Sequence, residues 1–264
     1  MDLSKIRMVV TDMDGTLLNS KHEVSDRFFE IFNELKQKNI QFVAASGRQY
    51  HSMLDKLSSI KDDIYFIAEN GAYIRKNNSV LLTTPLEKKS VHNILQILSN
   101  VPGAYPVLCS KDTAYVTGSS SKFLKMLQEY YTAFKVVDNQ AIVKDEILKI
   151  AIYHFENSEE YIYPKVKHLE KSLKVKVSGA NWVDVSHINA HKGFALEKLM
   201  GTYGITSDEI MVFGDYNNDL EMLELSNYSF AMANAHPNVK RAAKFETLSN
   251  EEFGVEKIME KLIV

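Results

Sequence analysis

Two aspartates, Asp12 and Asp14, stand two positions apart in the string TDMDGTLL at residues 11–18. They follow a short apolar, β-rich run at residues 6–10, so both emerge at the end of a buried strand before the chain turns at Gly15. Crowded carboxylates repel one another, and a cation relieves that repulsion. Magnesium favours a few oxygen ligands completed by water and a substrate phosphate. Taken alone, the string also reads as a solvated Asp-Gly turn. An EF-hand loop would place its glycine at the sixth position rather than directly after the second acid. A second acidic cluster, GDYNND at residues 214–219, follows the apolar run 210–213 and supplies Asp215, Asn217, Asn218 and Asp219. Each loop by itself could be a polar turn. If both runs are strands of one parallel sheet, Asp12, Asp14 and Asp215 converge at one edge, which outweighs the turn reading.

The elements that must position these acids are legible as α/β grammar. After the first strand, Ser25 is placed to cap a helix whose apolar residues Phe28, Phe29, Ile31, Phe32 and Leu35 recur at helical spacing, and residues 40–45 form another buried run. This βαβ unit puts two strands in one parallel sheet with their loops at the same edge. The pattern returns late in the chain as a helix over 192–203, a strand at 210–213, a helix near 219–225 and a strand at 228–232. Between them, β-type alternation at Ala114, Val116 and residues 149–155 mixes with helical segments at 90–98 and 122–131. The expected fold is a doubly wound, Rossmann-like core of residues 1–84 and 188–264, interrupted by an α+β domain at 85–187 with short hinges near Pro85 and His187.

Bulk properties narrow the function. The chain has 264 residues, 45% hydrophobic and 25% charged, which suits a globular protein with a sizeable core. A net charge of −3 provides no overall basic field for nucleic acid or an anionic membrane. No stretch has the length and apolarity of a membrane span or signal peptide, and the single cysteine, Cys109, forms no internal disulfide and reads as a core residue; a cytoplasmic location is expected.

With TDMDGTLL, ASGR at 45–48, AENGA at 68–72, HKGFALEKL at 191–199 and FGDYNNDLEML at 213–223 in this order, the chain resembles the haloacid dehalogenase superfamily over essentially its whole length. It is most similar to the large-capped, Cof-type phosphatases, and ASGRQY, AENGAY and SFAMANA at 229–235 resemble the bacterial sugar phosphatases among them. The resemblance implies that Asp12 is a nucleophile and Asp14 a general acid/base. A carboxylate nucleophile splits hydrolysis into formation and breakdown of an acyl phosphate, and a neighbouring acid/base serves both halves. It further implies Mg2+ held by Asp12, Asp215 and the main-chain carbonyl of Asp14, phosphate contacts from Ser46, Gly47, Lys192 and Asn218, and Asp219 orienting Lys192 or the metal site. Ser46 follows a strand and precedes a helix expected at Gln49, where N–H groups can receive phosphate oxygens. Lys192, at a helix start disfavoured for a cation, would neutralise the phosphoryl group.

Other residues read less specifically. Asn70-Gly71 suits a hairpin turn as well as a substrate contact, and Arg48 suits a structural arginine as well as a site residue. His22, His51, His154 and His191 lack metal-ligand spacing; Met211, Met222, Met232 and Trp182 read as packing residues. The insertion reads by resemblance as a mobile cap that sets selectivity. Its tyrosines, among them Tyr105, Tyr115, Tyr130 and Tyr131, are suited to stacking on a sugar, although most should pack. The expected substrate is a small phosphorylated metabolite, with a sugar phosphate favoured over flavin mononucleotide or pyridoxal phosphate. A sugar phosphomutase and a non-catalytic phosphometabolite sensor are the alternatives, the latter disfavoured by the intact pair Asp12 and Asp14.

Overall fold

The computed structural model describes residues 2–118, 120–128, 131 and 134–263. Fourteen strands occur among them: β1 (Met8–Asp12), β2 (Gln41–Ala45), β3 (Tyr65–Ala68), β4 (Tyr73–Lys76), β5 (Ser79–Thr83), β6 (Tyr105–Cys109), β7 (Ala114–Thr117), β8 (Phe134–Val137), β9 (Lys149–Tyr153), β10 (Leu173–Gly179), β11 (Trp182–His187), β12 (Ile210–Gly214), β13 (Tyr228–Ala231) and β14 (Phe245–Glu246). They form an eight-stranded sheet in the order β14-β13-β12-β1-β2-β3-β4-β5 and a six-stranded sheet in the order β10-β11-β9-β6-β7-β8. The chain divides into two compact units, residues 1–82 with 191–264, and residues 83–190.

In the first unit, β14, β13, β12, β1, β2 and β3 run parallel, and β4 pairs antiparallel to β3. Buried parallel strands require apolar residues on both faces, and β1 and β12 are buried throughout. The helix Asp26–Gln37 begins at Ser25, whose hydroxyl accepts from the Phe28 amide, and it buries Phe28, Ile31, Phe32 and Leu35. Phe28 and Phe32 meet Phe42 of β2 edge-on at centroid distances of 5.1 and 6.0 Å. β1 lies between β2 and β12, so the strand order turns both ways from it and opens a crevice at the carboxyl ends. β1 runs to Asp12, two residues beyond the expected end of that strand, so Asp12 is itself a sheet residue, paired in register with Ala45.

In the second unit β10–β11, β11–β9, β9–β6 and β6–β7 pair antiparallel, and β7–β8 parallel. Alternation along β9 feeds two cores. Ile150 and Ile152 pack with Val183, Val185 and the helix Lys88–Leu98, while Ala151 and Tyr153 pack with Val107, Val116, Phe123 and Leu127. The expected helix over 122–131 spans Ser121–Leu127; Tyr130 lies outside the described residues. Trp182 lies 4.9 Å from the Tyr153 ring and is a packing residue, as are the fully buried Met211, Met222, Met232 and Cys109. No described helix is long and apolar enough to cross a membrane.

Candidate active site

The site gathers at the carboxyl edge of the first unit. β1 delivers Asp12, the turn after it Asp14, the end of β2 leads into Ser46, and the end of β12 leads into Asp215. Gly15, at φ 79°, permits this crowding: a Cβ there would strike the Asp215 carboxylate, whose Cγ would lie 2.9 Å away. Thr16, buried in the same turn, donates its hydroxyl to Asp215 Oδ1 at 3.2 Å.

Lys192 is the centre of a buried charge network. Its Nζ donates to Asp12 Oδ1 and to Asp219 Oδ1, the latter at 2.6 Å, and its side chain and that of Asp219 are fully excluded from solvent. It is the first residue of the helix Lys192–Tyr203, with His191 as the N-cap accepting from the Phe194 amide. The cation therefore sits where the helix dipole disfavours it, and the two carboxylates supply the compensation. Burial alone would lower the Lys192 pKa, but the charges of Asp12 and Asp219 outweigh it and hold the ammonium protonated. Asp219 also accepts from the Asp215 and Tyr216 amides through Oδ2, at 3.0 and 3.1 Å, so both its oxygens are engaged within the protein. Gly214 makes room for it: a Cβ there would lie 2.6 Å from that of Asp219.

Asp12, Asp215 and Asp219 each offer an oxygen within 4.8 Å of the others, the one such group among the described residues. Burial, then the neighbouring carboxylates, pushes Asp12 up against the pull of Lys192. Burial and the charge of Asp219 push Asp215 up to about 6. Three acids face one ammonium, an excess of negative charge with hard oxygen donors that suits a divalent cation. Because both Asp219 oxygens are already bonded, Asp12 and Asp215 are the side chains best able to hold such an ion.

Asp14 stands apart from this network. Arg48 grips it with Nε on Oδ2 at 2.7 Å and Nη2 on Oδ1 at 2.6 Å, and His22 Nδ1 lies 3.4 Å from Oδ1. Burial works to raise Asp14, but the Arg48 hydrogen bonds and charge prevail and hold it below the usual carboxylate value. Arg48 also reaches Ser52 Oγ at 3.2 Å.

Ser46 is buried, and its hydroxyl accepts from the Arg48 amide at 3.1 Å. The helix expected at Gln49 runs over Tyr50–Lys56 with Gln49 as its N-cap, so the loop 46–49 presents this segment's amides. The connection between β3 and β4 folds against the same loop. The Asn70 amide donates to the Ser46 carbonyl at 3.0 Å, and Asn70 Oδ1 accepts from Asn218 Nδ2 at 3.1 Å. Ser46, Gly47, Asn70 and Asn218 thus form one contact chain, while Lys192 meets Asp12 and Asp219. The Thr16 hydroxyl bond, the capping role of His191 and the close packing of Gly71 on the Lys192 helix are not legible in the sequence. Their only signals were adjacency to Asp14 and Lys192 and the dipeptide Asn-Gly.

The family of haloacid dehalogenase-like hydrolases matches residues 9–259. The 5-amino-6-(5-phospho-D-ribitylamino)uracil phosphatase YbjI of Escherichia coli is 31% identical over 98% of this chain and 96% of its own. Among solved structures, SMU.1108c of Streptococcus mutans is 32% identical with a TM-score of 0.83 over 97% of this chain and 98% of its own. A protein from Eubacterium rectale reaches a TM-score of 0.91 at 26% identity, again covering 97% and 98% of the two chains.

Proposed function

The chain belongs to the haloacid dehalogenase-like hydrolases and is a phosphatase of that family; from that premise we propose a magnesium-dependent phosphomonoesterase that forms an aspartyl phosphate on Asp12 and acts in the cytoplasm on phosphorylated sugars or sugar alcohols. The observation that carries the chemistry is the buried network of Asp12, Lys192 and Asp219 beside Asp215 at the carboxyl edge of a parallel sheet. The substrate class is supported by the phosphorylated ribityl compound named for the Escherichia coli relative.

In the first half-reaction an Asp12 carboxylate oxygen attacks phosphorus, the bond to the leaving oxygen breaks, and Asp14 gives that oxygen a proton. In the second, Asp14 takes a proton from water, the water oxygen attacks the acyl phosphate, and inorganic phosphate leaves with Asp12 restored. Arg48 bonds both Asp14 oxygens, so Asp14 leaves that pair before it carries a proton. Lys192 balances the negative charge of the phosphoryl oxygens, and Asp219 fixes Lys192 in place. Ser46, Gly47 and Asn218 bind phosphate oxygens. Mg2+ would be held by Asp12, Asp215 and the Asp14 carbonyl, where it supplies charge neutralisation as phosphate approaches the acids. Residues 85–187 act as a cap that selects the leaving group and limits access of water.

The deciding experiment is phosphate release from a panel of sugar phosphates, a phosphoribityl compound, flavin mononucleotide and pyridoxal phosphate, with magnesium or a chelator. Release that needs magnesium and favours the sugar and ribityl compounds supports the proposal. Preference for flavin mononucleotide or pyridoxal phosphate would overturn the substrate class while leaving the chemistry intact. An isomeric sugar phosphate formed without free phosphate would indicate a mutase.

A further inference from the structure

β3 and β4 are antiparallel, with Ala68 opposite Tyr73, and the chain between them turns through Glu69 at φ 50°, Asn70 at φ 55° and Gly71 at φ 99°. Left-handed backbone at an Asn-Gly pair is what a tight hairpin turn asks for, and asparagine tolerates it better than most residues. The turn does not dictate where the Asn70 side chain goes. Its Oδ1 is tied to Asn218 Nδ2 at 3.1 Å, and its amide lies flat against Gly47, where a Cβ would be 3.0 Å from Oδ1 and 3.1 Å from Nδ2. The next residue, Gly71, presses on the backbone at His191 and Lys192; a Cβ there would strike the His191 carbonyl and lie 2.8 Å from the Lys192 nitrogen.

This turn therefore touches each of the three elements that carry the phosphate contacts proposed above: the Ser46–Gly47 loop, the start of the Lys192 helix, and the loop holding Asn218. With the carboxamide oxygen held by Asn218, the end left to present is the NH2 group. No hydrogen bond among the described residues uses Asn70 Nδ2. A carboxamide so oriented offers donors and no free acceptor, which suits an anion.

We propose that Asn70 is a further phosphate-binding residue, its Nδ2 donating to an oxygen of the substrate's phosphoryl group while Asn218 fixes the amide in the donor-forward orientation. This rests on the phosphatase reading above and extends it to the β3–β4 turn. The arrangement also gives Asn218 a second task, as a positioning residue for Asn70.

The substitution that separates this role from a structural one is Asn70→Asp. It is nearly isosteric, tolerates left-handed backbone, and keeps an acceptor for Asn218 Nδ2, but it replaces the free N–H donors by a carboxylate oxygen. Binding of inorganic phosphate to the full chain with magnesium, measured calorimetrically, should weaken by at least about tenfold, with KM for a phosphomonoester rising in parallel. Asn70→Gly keeps the turn and removes the donor without adding charge; phosphate affinity should fall by about threefold to tenfold. Phosphate binding by Asn70→Asp within about twofold of native would overturn the proposal and leave Asn70 a turn residue. If Asn70→Asp does not fold, Asn70→Gly decides alone, and undiminished affinity in it overturns the proposal. Absence of phosphate release by the native chain across the substrate panel would sink the phosphatase reading itself, a failure visible without any Asn70 variant.

Discussion

The two units differ in the charge they bury: among the described residues, every buried aspartate, glutamate and lysine lies in the first. In the first, Asp12, Lys192 and Asp219 are charged groups that satisfy one another at a single sheet edge. In the second, buried polar side chains mostly serve nearby backbone: Gln140 Nε2 donates to the carbonyls of Pro106 and Tyr115, Ser110 to Thr113, and Ser158 to Gly179. Burying a charge is unfavourable unless it is paired, whereas a polar side chain bonded to backbone completes the ladder that strands and turns leave open. Charges gathered at one edge mark chemistry; polar groups distributed among turns mark construction. The first unit should therefore fail in reactivity when altered at the Asp12–Lys192–Asp219 network, and the second in stability.

The largest expected effect is in the first unit. Asp12→Asn should lower phosphate release by at least about a thousandfold while circular dichroism stays native, and release within about tenfold of native would break the assignment of the nucleophile. Lys192→Met should lower turnover by about a hundredfold or more and also destabilise the chain by ~3–5 kcal/mol in denaturant titration, because two buried carboxylates lose their counter-charge. Full activity in that variant would mean that the charge network is structural, erasing the contrast between the units.

Phe123→Ala should do the reverse. Phe123 is buried against the stacked Tyr105 ring at 4.6 Å, and its loss should cost ~3–5 kcal/mol. The only tryptophan, Trp182, lies in the same core, so its fluorescence should report unfolding of the second unit. Loss of turnover at temperatures where Trp182 fluorescence is still native would contradict the division of labour. The smallest effect concerns Glu256, which accepts from the Ser25 hydroxyl at 2.7 Å and whose pKa burial raises. A carboxyl raised on folding contributes stability below its unfolded pKa and loses it as pH rises through the folded value. Glu256→Gln should therefore raise the melting temperature at pH 7 by at most a few degrees, about 2–4 °C, and leave it unchanged well below pH 4. A drop at pH 7 would show that the carboxylate is wanted there.

The sequence carried the doubly wound core and inserted α+β unit well, because apolar runs such as residues 6–10 and 210–213 precede acidic loops and helical spacing is plain in Phe28, Ile31, Phe32 and Leu35. It carried less of the insertion, where antiparallel neighbours such as β9 and β6 are distant in sequence and alternation in one strand does not name its partner. The hydroxyl of Thr16, the His191 cap and the grip of Arg48 on Asp14 were illegible for a related reason. Each depends on a side chain's direction at a turn or helix end, which composition and period do not encode.

The position of β1 in the sheet bears on how the protein is born. β1 precedes the insertion in the chain, yet one of its neighbours, β12, and all three side-chain partners of Asp12 in the acidic cluster come after residue 190. While the ribosome is still making the insertion, β1 is an edge strand with an unpaired side, and Asp12 has no counter-ion to be buried with. The acidic cluster is thus completed by residues made after the insertion around an aspartate made before it, so a chain truncated before residue 210 lacks β12 and Asp215, and has no means of holding the cluster intact.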